Sequence, residues 1–565
     1  MDSSRREFIG AATTLGLGLS AAAATTSASP SGSDVSKQVS HKAVAERMRP
    51  SRPDPTNVSA VGRKAMISTS HPLATEAGLA ALRNGGSAVD AYLAAAAVQT
   101  VIEPTMTGLG GGIGMTVYEP SNGKCQVVGG MAMLPAAEKG GALDDDAYWS
   151  GRTATAPGWV CGAHAAWKKW GKLKWAQLFS DALEYARNGF VVDQLLWGTM
   201  WDYRRVPGMY QQGRDIWYPG GRLVCVGEVL RQPALARTIE QLAEQGPDYF
   251  YQGEFARHYV ETARAAGGLI TLADMAATQQ KAISREIPSL RVAGGYELHT
   301  GGLMYALALN LAAVGGLGKR GRPTEDAESL YLSMRIVEET WHHCLSLADE
   351  NLSTPEGIEK ALASLSPEKA EQLWPRVKSG PPRSFDGMNL DTNAIVVVDE
   401  SGMIVHGTHS TSGTPFGAGL MVDGVIVARP LYYFARPIVK MPLGWGTSLL
   451  ALKDGRPVFA AGSPSISAVQ NVLQNTLNVL HWGMEAGESV QQPMFGSPIY
   501  PKQLPMVEAT MGDKMIAEVE RRGLKVKRVS PWEQEMGSCH SIRIAEDGTL
   551  HGAADPRRLG RAAGY

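Results

Sequence analysis

The sequence has 565 residues, of which 44% are hydrophobic and 19% are charged, with a formal net charge of −1. This composition excludes a disordered chain and allows a large buried core in roughly two to four domains. Because the charge is nearly balanced, no electrostatic argument favours nucleic acid or an acidic membrane surface as a partner.

The N-terminus has the pattern of an export signal. Ser4-Arg5-Arg6-Glu7-Phe8-Ile9 is typical of a twin-arginine signal, and a weakly apolar stretch rich in Ala and Gly follows it. We predict a signal peptide over residues 1–28, a linker over 29–58, and a periplasmic or secreted protein. The alternative is a membrane anchor, but the stretch is too short and too weakly apolar to span a bilayer well. No other segment has the apolar length of a span, so we expect no stable membrane insertion after signal removal.

Helical and strand patterns alternate through the rest of the chain. A short strand is predicted over 115–118, and α/β layering is the expected fold class. Helical patterns lie near residues 77–99, with a turn at Gly85-Gly86, and near 178–187, 235–244, 257–266, 303–314, 329–350 and 468–484.

The cysteines and histidines do not form a metal-binding pattern. The five cysteines are scattered, and an odd count without CxxC spacing argues against a disulfide framework and a zinc site. His342-His343-Cys344 is a possible trio, but it lies in a helical pattern in which adjacent residues point in different directions. We therefore expect no metal and no other cofactor.

The most informative segment begins at a threonine. Asp391-Thr392 opens an apolar run of β-branched residues that is typical of a core strand, and the polar stretch 379–391 before it suits cleavage. A second strand follows and ends in the hydroxyl cluster Thr408-His409-Ser410-Thr411-Ser412. If the chain is cut before Thr392, that residue carries a hydroxyl nucleophile and a free α-amine as its base. This pattern indicates a self-cleaving amide hydrolase.

A series of short motifs runs through the chain: His71-Pro72-Leu73-Ala74, 85–91, Glu103-Pro104, 108–112, Ala156-Pro157-Gly158, Gly171-Lys172-Leu173, 186–190 and 552–558. In their order, and over nearly everything after residue 60, these motifs resemble the γ-glutamyltranspeptidase family of N-terminal-nucleophile hydrolases. The resemblance implies a four-layer αββα sandwich, formed by a large subunit (59–391) and a small subunit (392–565) after cleavage between Asp391 and Thr392. The two subunits should stay together, because separation would expose strand edges.

The resemblance also implies catalytic roles. Thr392 aligns with the nucleophile, Ser410 with a supporting hydroxyl, and Ser412 with a substrate-binding asparagine; the alternative for both serines is an exposed strand position. The family's oxyanion donors are backbone N–H groups of a Gly-Gly pair, which correspond here to Ser465 and Ile466. The family's Thr-Thr-His is Thr392-Asn393-Ala394 in this chain, so an uncut, catalytically inactive binding protein remains an alternative.

The positions that recognise the substrate depart from the family. Met131 stands where glutamyl enzymes hold the substrate carboxylate with an arginine, and Tyr432 and Tyr433 stand where they hold the ammonium with acids. The family's Ser-Ser-Met is Gly444-Trp445-Gly446. A zwitterionic head group that loses its ion-pair partners loses about 2–5 kcal/mol of binding.

These departures predict a small-molecule amide substrate whose acyl group is not ordinary γ-glutamyl. Acylase-like members of the family are a precedent for such a change. Arg429, beside the tyrosines, is a candidate to hold a carboxylate or carbonyl oxygen, or alternatively to pair with an acid of the protein. The alternative function is a γ-glutamyl hydrolase or transferase that acts on glutathione or γ-glutamyl amides.

Overall fold

The computed structural model of the protein describes residues 58–300, 302–347, 354–383, 392–434, 447–464, 468–496 and 504–565. The predicted signal peptide, the linker up to residue 57, and Asp391 lie outside these ranges. Within them, no helix combines the length and the apolar character that a membrane crossing requires.

The strands are short to medium in length and run from residue 59 to residue 564. In chain order they are β1 (Ser59–Gly62), β2 (Met66–Thr69), β3 (Gly112–Glu119), β4 (Lys124–Gly130), β5 (Phe190–Val191), β6 (Val229–Leu230), β7 (Ile283–Ile287), β8 (Leu290–Val292), β9 (Tyr296–His299), β10 (Asn393–Val398), β11 (Ile404–Ser410), β12 (Met421–Val422), β13 (Val425–Ile426), β14 (Ser448–Lys453), β15 (Arg456–Gly462), β16 (Phe495–Gly496), β17 (Met506–Glu508), β18 (Lys527–Val529), β19 (His540–Ile544), β20 (Leu550–Ala554) and β21 (Arg561–Gly564).

The α-helices alternate with these strands, as the sequence patterns predict. In chain order they are α1 (Pro72–Arg83), α2 (Ala88–Ile102), α3 (Asp145–Tyr148), α4 (Trp159–Trp170), α5 (Ser180–Asn188), α6 (Gln194–Asp202), α7 (Gln211–Trp217), α8 (Pro233–Gln245), α9 (Pro247–Tyr251), α10 (Glu254–Ala265), α11 (Leu272–Gln279), α12 (Met304–Val314), α13 (Ala327–Ser346), α14 (Pro355–Ala363), α15 (Pro367–Ser379), α16 (Leu431–Phe434), α17 (Ala468–Leu480), α18 (Ala486–Val490) and α19 (Asp513–Arg521).

The predicted turn at Gly85-Gly86 illustrates how local sequence sets these boundaries. Gly85 has φ 80°, which lies in the left-handed region that glycine tolerates best, and it follows the end of α1. Ser87 and Asp90 then cap α2 reciprocally: each side chain accepts a hydrogen bond from the other residue's backbone N–H. The prediction of an interrupted helix is confirmed.

Two seven-stranded antiparallel sheets form the centre of the fold. Sheet one has the strand order β21-β2-β10-β11-β3-β4-β7, and sheet two has the order β1-β20-β19-β15-β14-β9-β8. Three hydrophobic clusters separate the layers: one between sheet one and its helices, one between sheet two and its helices, and one between the sheets. This arrangement confirms the expected αββα sandwich.

The central strand β10 shows why the apolar run after Thr392 is needed. Ile395 and Val397 lie in the cluster under the helices of sheet one, whereas Val396 and Val398 lie in the cluster between the sheets. Because side chains alternate along a strand, a strand covered on both faces is apolar along most of its length, as β10 is from Ala394 to Val398. All six residues of β10 are buried.

Antiparallel pairing brings several strand ends to one edge of sheet one. β10 lies between β2 and β11, with Asn393 opposite His409 and Ile395 opposite Thr69. β11 pairs in turn with β3, with Ser410 opposite Gly112. The start of β10, the end of β11 and the end of β2 therefore lie side by side, and Thr392 stands among them.

Buried histidines make the stability of this fold sensitive to acid. His406 faces the layer between the sheets, and burial, with a further contribution from His299, lowers its pKa to about 3. Below pH ~6.5 the unfolded chain binds a proton at this histidine while the folded chain does not. The free energy of unfolding must therefore decrease as the pH falls from ~6.5 toward 3.

We predict that His406→Gln makes this acid dependence shallower, by at most about 1.4 kcal/mol per pH unit. The matched control is His258→Gln. Asp423 accepts a hydrogen bond from His258 and raises the pKa of that histidine, so it stabilises the folded state at low pH. Loss of the His258 imidazole should therefore make the free energy of unfolding decrease more steeply as the pH falls. Denaturant midpoints measured from pH 5 to pH 7.5 test the pair, and equal slopes in both variants would contradict the assignment.

Candidate active site

Thr392 lies at the edge of sheet one, immediately before β10, and is only 3% exposed. Its hydroxyl Oγ1 donates a hydrogen bond to Ser410 Oγ over 3.0 Å. Ser410 is the last residue of β11, so the pairing of two central strands fixes both hydroxyls. The structure thus brings together the two residues that the sequence predicts as nucleophile and supporting hydroxyl, and their catalytic roles stay predictions.

Ser412 contacts Ser410 through its backbone rather than its side chain. The N–H of Ser412 donates to Ser410 Oγ over 2.7 Å. Ser412 has φ 55°, in the left-handed region that residues other than glycine rarely adopt. Such conformations concentrate at functional sites. The ligand-binding role of the Ser412 side chain stays a prediction.

Arg558 holds the main chain of Thr392. Its Nη1 donates to the Thr392 carbonyl oxygen over 3.3 Å, and the side chain is buried. Sequence reasoning identified Arg558 only as part of a C-terminal signature, since nothing in the spacing links residue 558 to residue 392. The only available signal was the pair of adjacent arginines at the end of that signature.

A buried polar chain anchors Asn393, the residue after Thr392. Ser70 Oγ lies 3.2 Å from Asn393 Oδ1 and 3.0 Å from Glu103 Oε2, and it accepts a hydrogen bond from Gln99 Nε2 over 2.6 Å. Gln99 Oε1 in turn lies 2.7 Å from Nε2 of His409. The chain runs under sheet one from β2 through α2 to β11 and was not predicted from the sequence.

The chain defines the tautomer of His409. Nδ1 accepts from Trp159 Nε1–H over 3.3 Å and lies 2.7 Å from Thr107 Oγ1, so Nε2 carries the proton that is donated to Gln99. Burial lowers the pKa of His409 to about 3, which keeps the ring neutral. His409 therefore links Gln99 to Trp159 and Thr107 through hydrogen bonds of fixed direction, opposite the residue that follows Thr392.

The expected oxyanion motif is described only in part. Gly462 ends β15 opposite Ser448, and a Cβ built on Gly462 would lie 3.5 Å from Ala394 Cβ, so the motif starts close to β10. The N–H of Ser463 donates to the Thr447 carbonyl over 2.8 Å and is therefore engaged. Ser465 and Ile466 lie outside the described residues, and their role as oxyanion donors stays a prediction.

Two of the predicted recognition residues lie near one another beside the site. Met131 follows β4 and is 44% exposed, and its Cα is 3.4 Å from the position of a Cβ on Gly112, the partner of Ser410. Tyr433 donates its phenol O–H to the carbonyl of Ala132 over 3.2 Å, and burial raises the pKa of that phenol. Gly444, Trp445 and the side chain of Tyr432 lie outside the described part of the chain.

Arg429 is enclosed by aromatic rings. Its guanidinium carbon lies 3.9 Å from the ring centre of Tyr148 and 4.3 Å from that of Trp149. Nη1 donates to the Tyr148 carbonyl over 2.9 Å, and Nη2 donates to the Thr414 hydroxyl. Burial lowers the pKa of Arg429 to about 10. No carboxylate pairs with Arg429 among the described residues, and its role toward a substrate stays a prediction.

A cavity of about 680 Å³ borders the site at Arg558, so this residue both lines the cavity and contacts Thr392. His71 and Asp193, whose side chains approach to 3.5 Å, form a polar part of its wall. Pro72, Leu73, Tyr185, Phe190, Val191 and Leu559 supply apolar surface.

The chain has the αββα sandwich of the N-terminal-nucleophile hydrolases, a class of amidohydrolases and acyltransferases. The family model described as Gamma-glutamyltranspeptidase matches residues 74–565, and the chain belongs to the gamma-glutamyltranspeptidase family. The resemblance drawn from the sequence motifs is therefore confirmed.

Curated relatives carry different activities in their names. The chain is 28% identical to the glutathione hydrolase proenzyme of Escherichia coli (strain K12), over 89% of this chain and 92% of the relative. It is also 28% identical to the acylase ACY 1 proenzyme of Pseudomonas sp. (strain SE83), over 88% and 92%. Among solved structures, the cephalosporin acylase from Bacillus halodurans shares the fold with TM-score 0.73 and 23% identity, over 92% of this chain and 98% of that one.

Proposed function

We propose that this protein is an exported, self-processing amidohydrolase with Thr392 as its nucleophile, acting on an amide whose acyl group is not ordinary γ-glutamyl. The observation that carries the proposal is the 3.0 Å hydrogen bond between the Thr392 and Ser410 hydroxyls at the start of β10. The word proenzyme in the names of both curated relatives above supports maturation of one precursor into two subunits.

Maturation proceeds by attack of the Thr392 hydroxyl oxygen on the carbonyl carbon of Asp391. The C–N bond between the two residues breaks, and the hydroxyl proton is transferred to the Thr392 nitrogen. Water then hydrolyses the ester, which gives the α-carboxyl group of Asp391 and restores the Thr392 hydroxyl with a free α-amine. Arg558 and Ser410 hold the nucleophilic residue in place through both steps.

Turnover uses the α-amine that maturation releases. With a reference pKa of about 7.7–8.0, this amine accepts the hydroxyl proton as Oγ1 attacks the substrate carbonyl, and it then protonates the leaving amine. Water hydrolyses the acyl-threonine ester, or a second amine accepts the acyl group. The buried polar chain from Asn393 to His409 fixes the main chain next to Thr392, so the Thr392 hydroxyl needs little reorientation before it attacks.

We predict that Thr392→Ala remains a single chain without activity, whereas the parent migrates as two bands of about 40 and 18 kDa. Ser410→Ala is the graded companion variant, because it retains the nucleophile and removes its hydrogen-bond partner. It should slow both processing and turnover about tenfold, as the loss of one hydrogen bond implies. Electrophoresis with an amidase assay measures both effects, and a processed, active Thr392→Ala protein would refute the nucleophile.

The substrate class follows from the residues beside the nucleophile. Met131 gives an uncharged, exposed surface where a glutamyl enzyme needs an arginine, and Tyr433 hydrogen-bonds across to Ala132 where it needs an acid. These groups leave no ionic partner for an amino-acid head group at either position. An uncharged, aromatic or singly carboxylated acyl group suits them better, in line with the acylase among the relatives.

We predict that γ-glutamyl-p-nitroanilide is hydrolysed about a hundredfold more slowly than the best aryl or aliphatic acyl amide of a panel. Arg429→Ala separates two roles for that arginine. If Arg429 binds a substrate carboxylate, the variant loses kcat/KM mainly on carboxylated acyl amides; if it only clamps Tyr148 and Trp149, all substrates lose equally. If glutathione is the best substrate of the panel, the assignment of the acyl group is wrong.

Export is proposed from Arg5-Arg6 and the weakly apolar stretch that follows. We predict that replacing both arginines by lysine leaves the precursor in the cytoplasm, because the twin-arginine route requires the pair. Cell fractionation with immunoblotting measures the distribution, and an unrelated exported enzyme serves as the control. Full periplasmic yield of the double variant would refute this route.

A further inference from the structure

Residues 131–141, which we name the recognition loop, follow β4 and hold Tyr433 at two points. The Tyr433 phenol donates to the carbonyl of Ala132 over 3.2 Å, near the start of the loop. The N–H of Gly141, at the end of the loop, donates to the Tyr433 carbonyl over 2.8 Å. Gly140 has φ 70°, and a Cβ built on it would lie 3.0 Å from that carbonyl oxygen, so glycine permits the close approach. The position of Tyr433 therefore depends on the position of the loop.

A buried carboxylate fixes the middle of the recognition loop. The Glu138 side chain is only 4% exposed, and its Oε1 accepts hydrogen bonds from the N–H groups of Lys139 and Gly140 over 2.8 and 3.0 Å. Its Oε2 accepts from Arg152 Nε over 2.5 Å. Burial alone would raise the pKa of Glu138, but Arg152 and the two N–H groups outweigh burial and lower the pKa. Glu138 therefore joins the loop to Arg152 as a charged carboxylate.

Arg152 belongs to a short segment, residues 148–152, that also holds Arg429. The Tyr148 carbonyl accepts a hydrogen bond from Arg429 Nη1 over 2.9 Å. Further along the segment, the N–H of Gly151 donates to the carbonyl of the residue that follows α10, over 2.8 Å. A Cβ built on Gly151 would lie 2.3 Å from a carbonyl oxygen within α10, so the segment packs directly on this helix. One anchored segment therefore carries both Arg429 and the partner of the recognition loop.

We propose that Arg152 and Glu138 are positioning residues for acyl-group selectivity, because their ion pair holds the recognition loop and keeps Tyr433 beside Met131. This inference rests on the proposed function, and it adds that the placement of an uncharged wall, rather than an ionic contact, selects the acyl group. Met131 begins the loop and is 44% exposed, and Tyr433 is bonded near both ends of the loop. A displacement of the loop therefore moves both predicted recognition residues.

The ion pair can act on recognition without supporting the whole fold. The Arg152 side chain is 36% exposed, and ion pairs with an exposed partner contribute little to global stability. Two hydrogen bonds of 2.8 Å between the main chains of Met133 and Ala156 hold the early part of the loop without the pair. Loss of Arg152 should therefore loosen the later part of the loop, where Gly141 bonds Tyr433, and leave the pairing of β10 with β11 intact.

The test compares two arginines that each pair with one glutamate. Arg152→Gln breaks the pair with Glu138, and Arg222→Gln breaks a pair with Glu228 outside the recognition loop. We expect Arg152→Gln to lower kcat/KM about threefold to tenfold on the best acyl amide of the panel, through KM, because that acyl group contacts the wall. Hydrolysis of γ-glutamyl-p-nitroanilide should hardly change. Arg152→Lys, which retains the charge, should restore most of the selectivity, and Arg222→Gln should match the parent.

A double-substitution cycle tests whether the two residues act as one unit. Glu138→Gln should have the same effect as Arg152→Gln, and the double variant should lose no more than either single variant. Hydrogen–deuterium exchange of the purified proteins needs no substrate. It should become faster in the peptide covering residues 134–141 for both single variants, whereas the Tm of each variant should stay parental.

An equal loss of kcat/KM on every amide of the panel would overturn the inference, because a general structural defect has that signature. Faster exchange in the loop with unchanged selectivity would overturn it too, as would equal effects of Arg152→Gln and Arg222→Gln. If the parent itself hydrolyses no amide of the panel, the proposed function fails instead, which separates the two outcomes.

Discussion

The pairing of β10 with β11 is the constraint on which the site depends. Its register sets Asn393 opposite His409 and so brings Thr392 beside Ser410, although these two residues are 18 positions apart in the chain. A shift of one residue would turn every side chain of β10 to the opposite face. Because both faces are buried against different hydrophobic clusters, such a shift would also disrupt the core.

The chain makes different contacts on the two faces of sheet one where β10 begins. Thr392 and Ser410 share one hydroxyl contact, while Asn393 points into the polar chain of Ser70, Gln99 and His409 on the helix-covered face. The hydrogen bonds of this polar chain hold the side-chain oxygen of Asn393 and so restrain the backbone next to Thr392. A neutral His409 suits the role, because an imidazolium would be unpaired there.

Three buried arginines show how an almost neutral chain uses charge inside the protein. Arg429 is held between two rings, Arg558 reaches the Thr392 carbonyl, and Arg335 joins α13 to the segment that follows α15. In each case backbone carbonyls accept hydrogen bonds from the guanidinium, which has donors in several directions. These three arginines therefore each hold a segment of main chain through hydrogen bonds to its carbonyl groups.

The sequence by itself determined the family, the layered fold, the interrupted helix at Gly85-Gly86 and the pairing of Thr392 with Ser410. Local patterns, namely β-branched runs and turn glycines, predicted the α/β layering and the interrupted helix. The four layers and the pairing of Thr392 with Ser410 came from the resemblance of motifs in a fixed order to the family. Only the tertiary structure decided that Arg558 contacts Thr392, that Ser70, Gln99 and His409 support Asn393, and that Arg429 is enclosed by Tyr148 and Trp149. Such contacts join residues far apart in the chain, and their geometry depends on how sheets and helices pack, which spacing along one sequence does not encode.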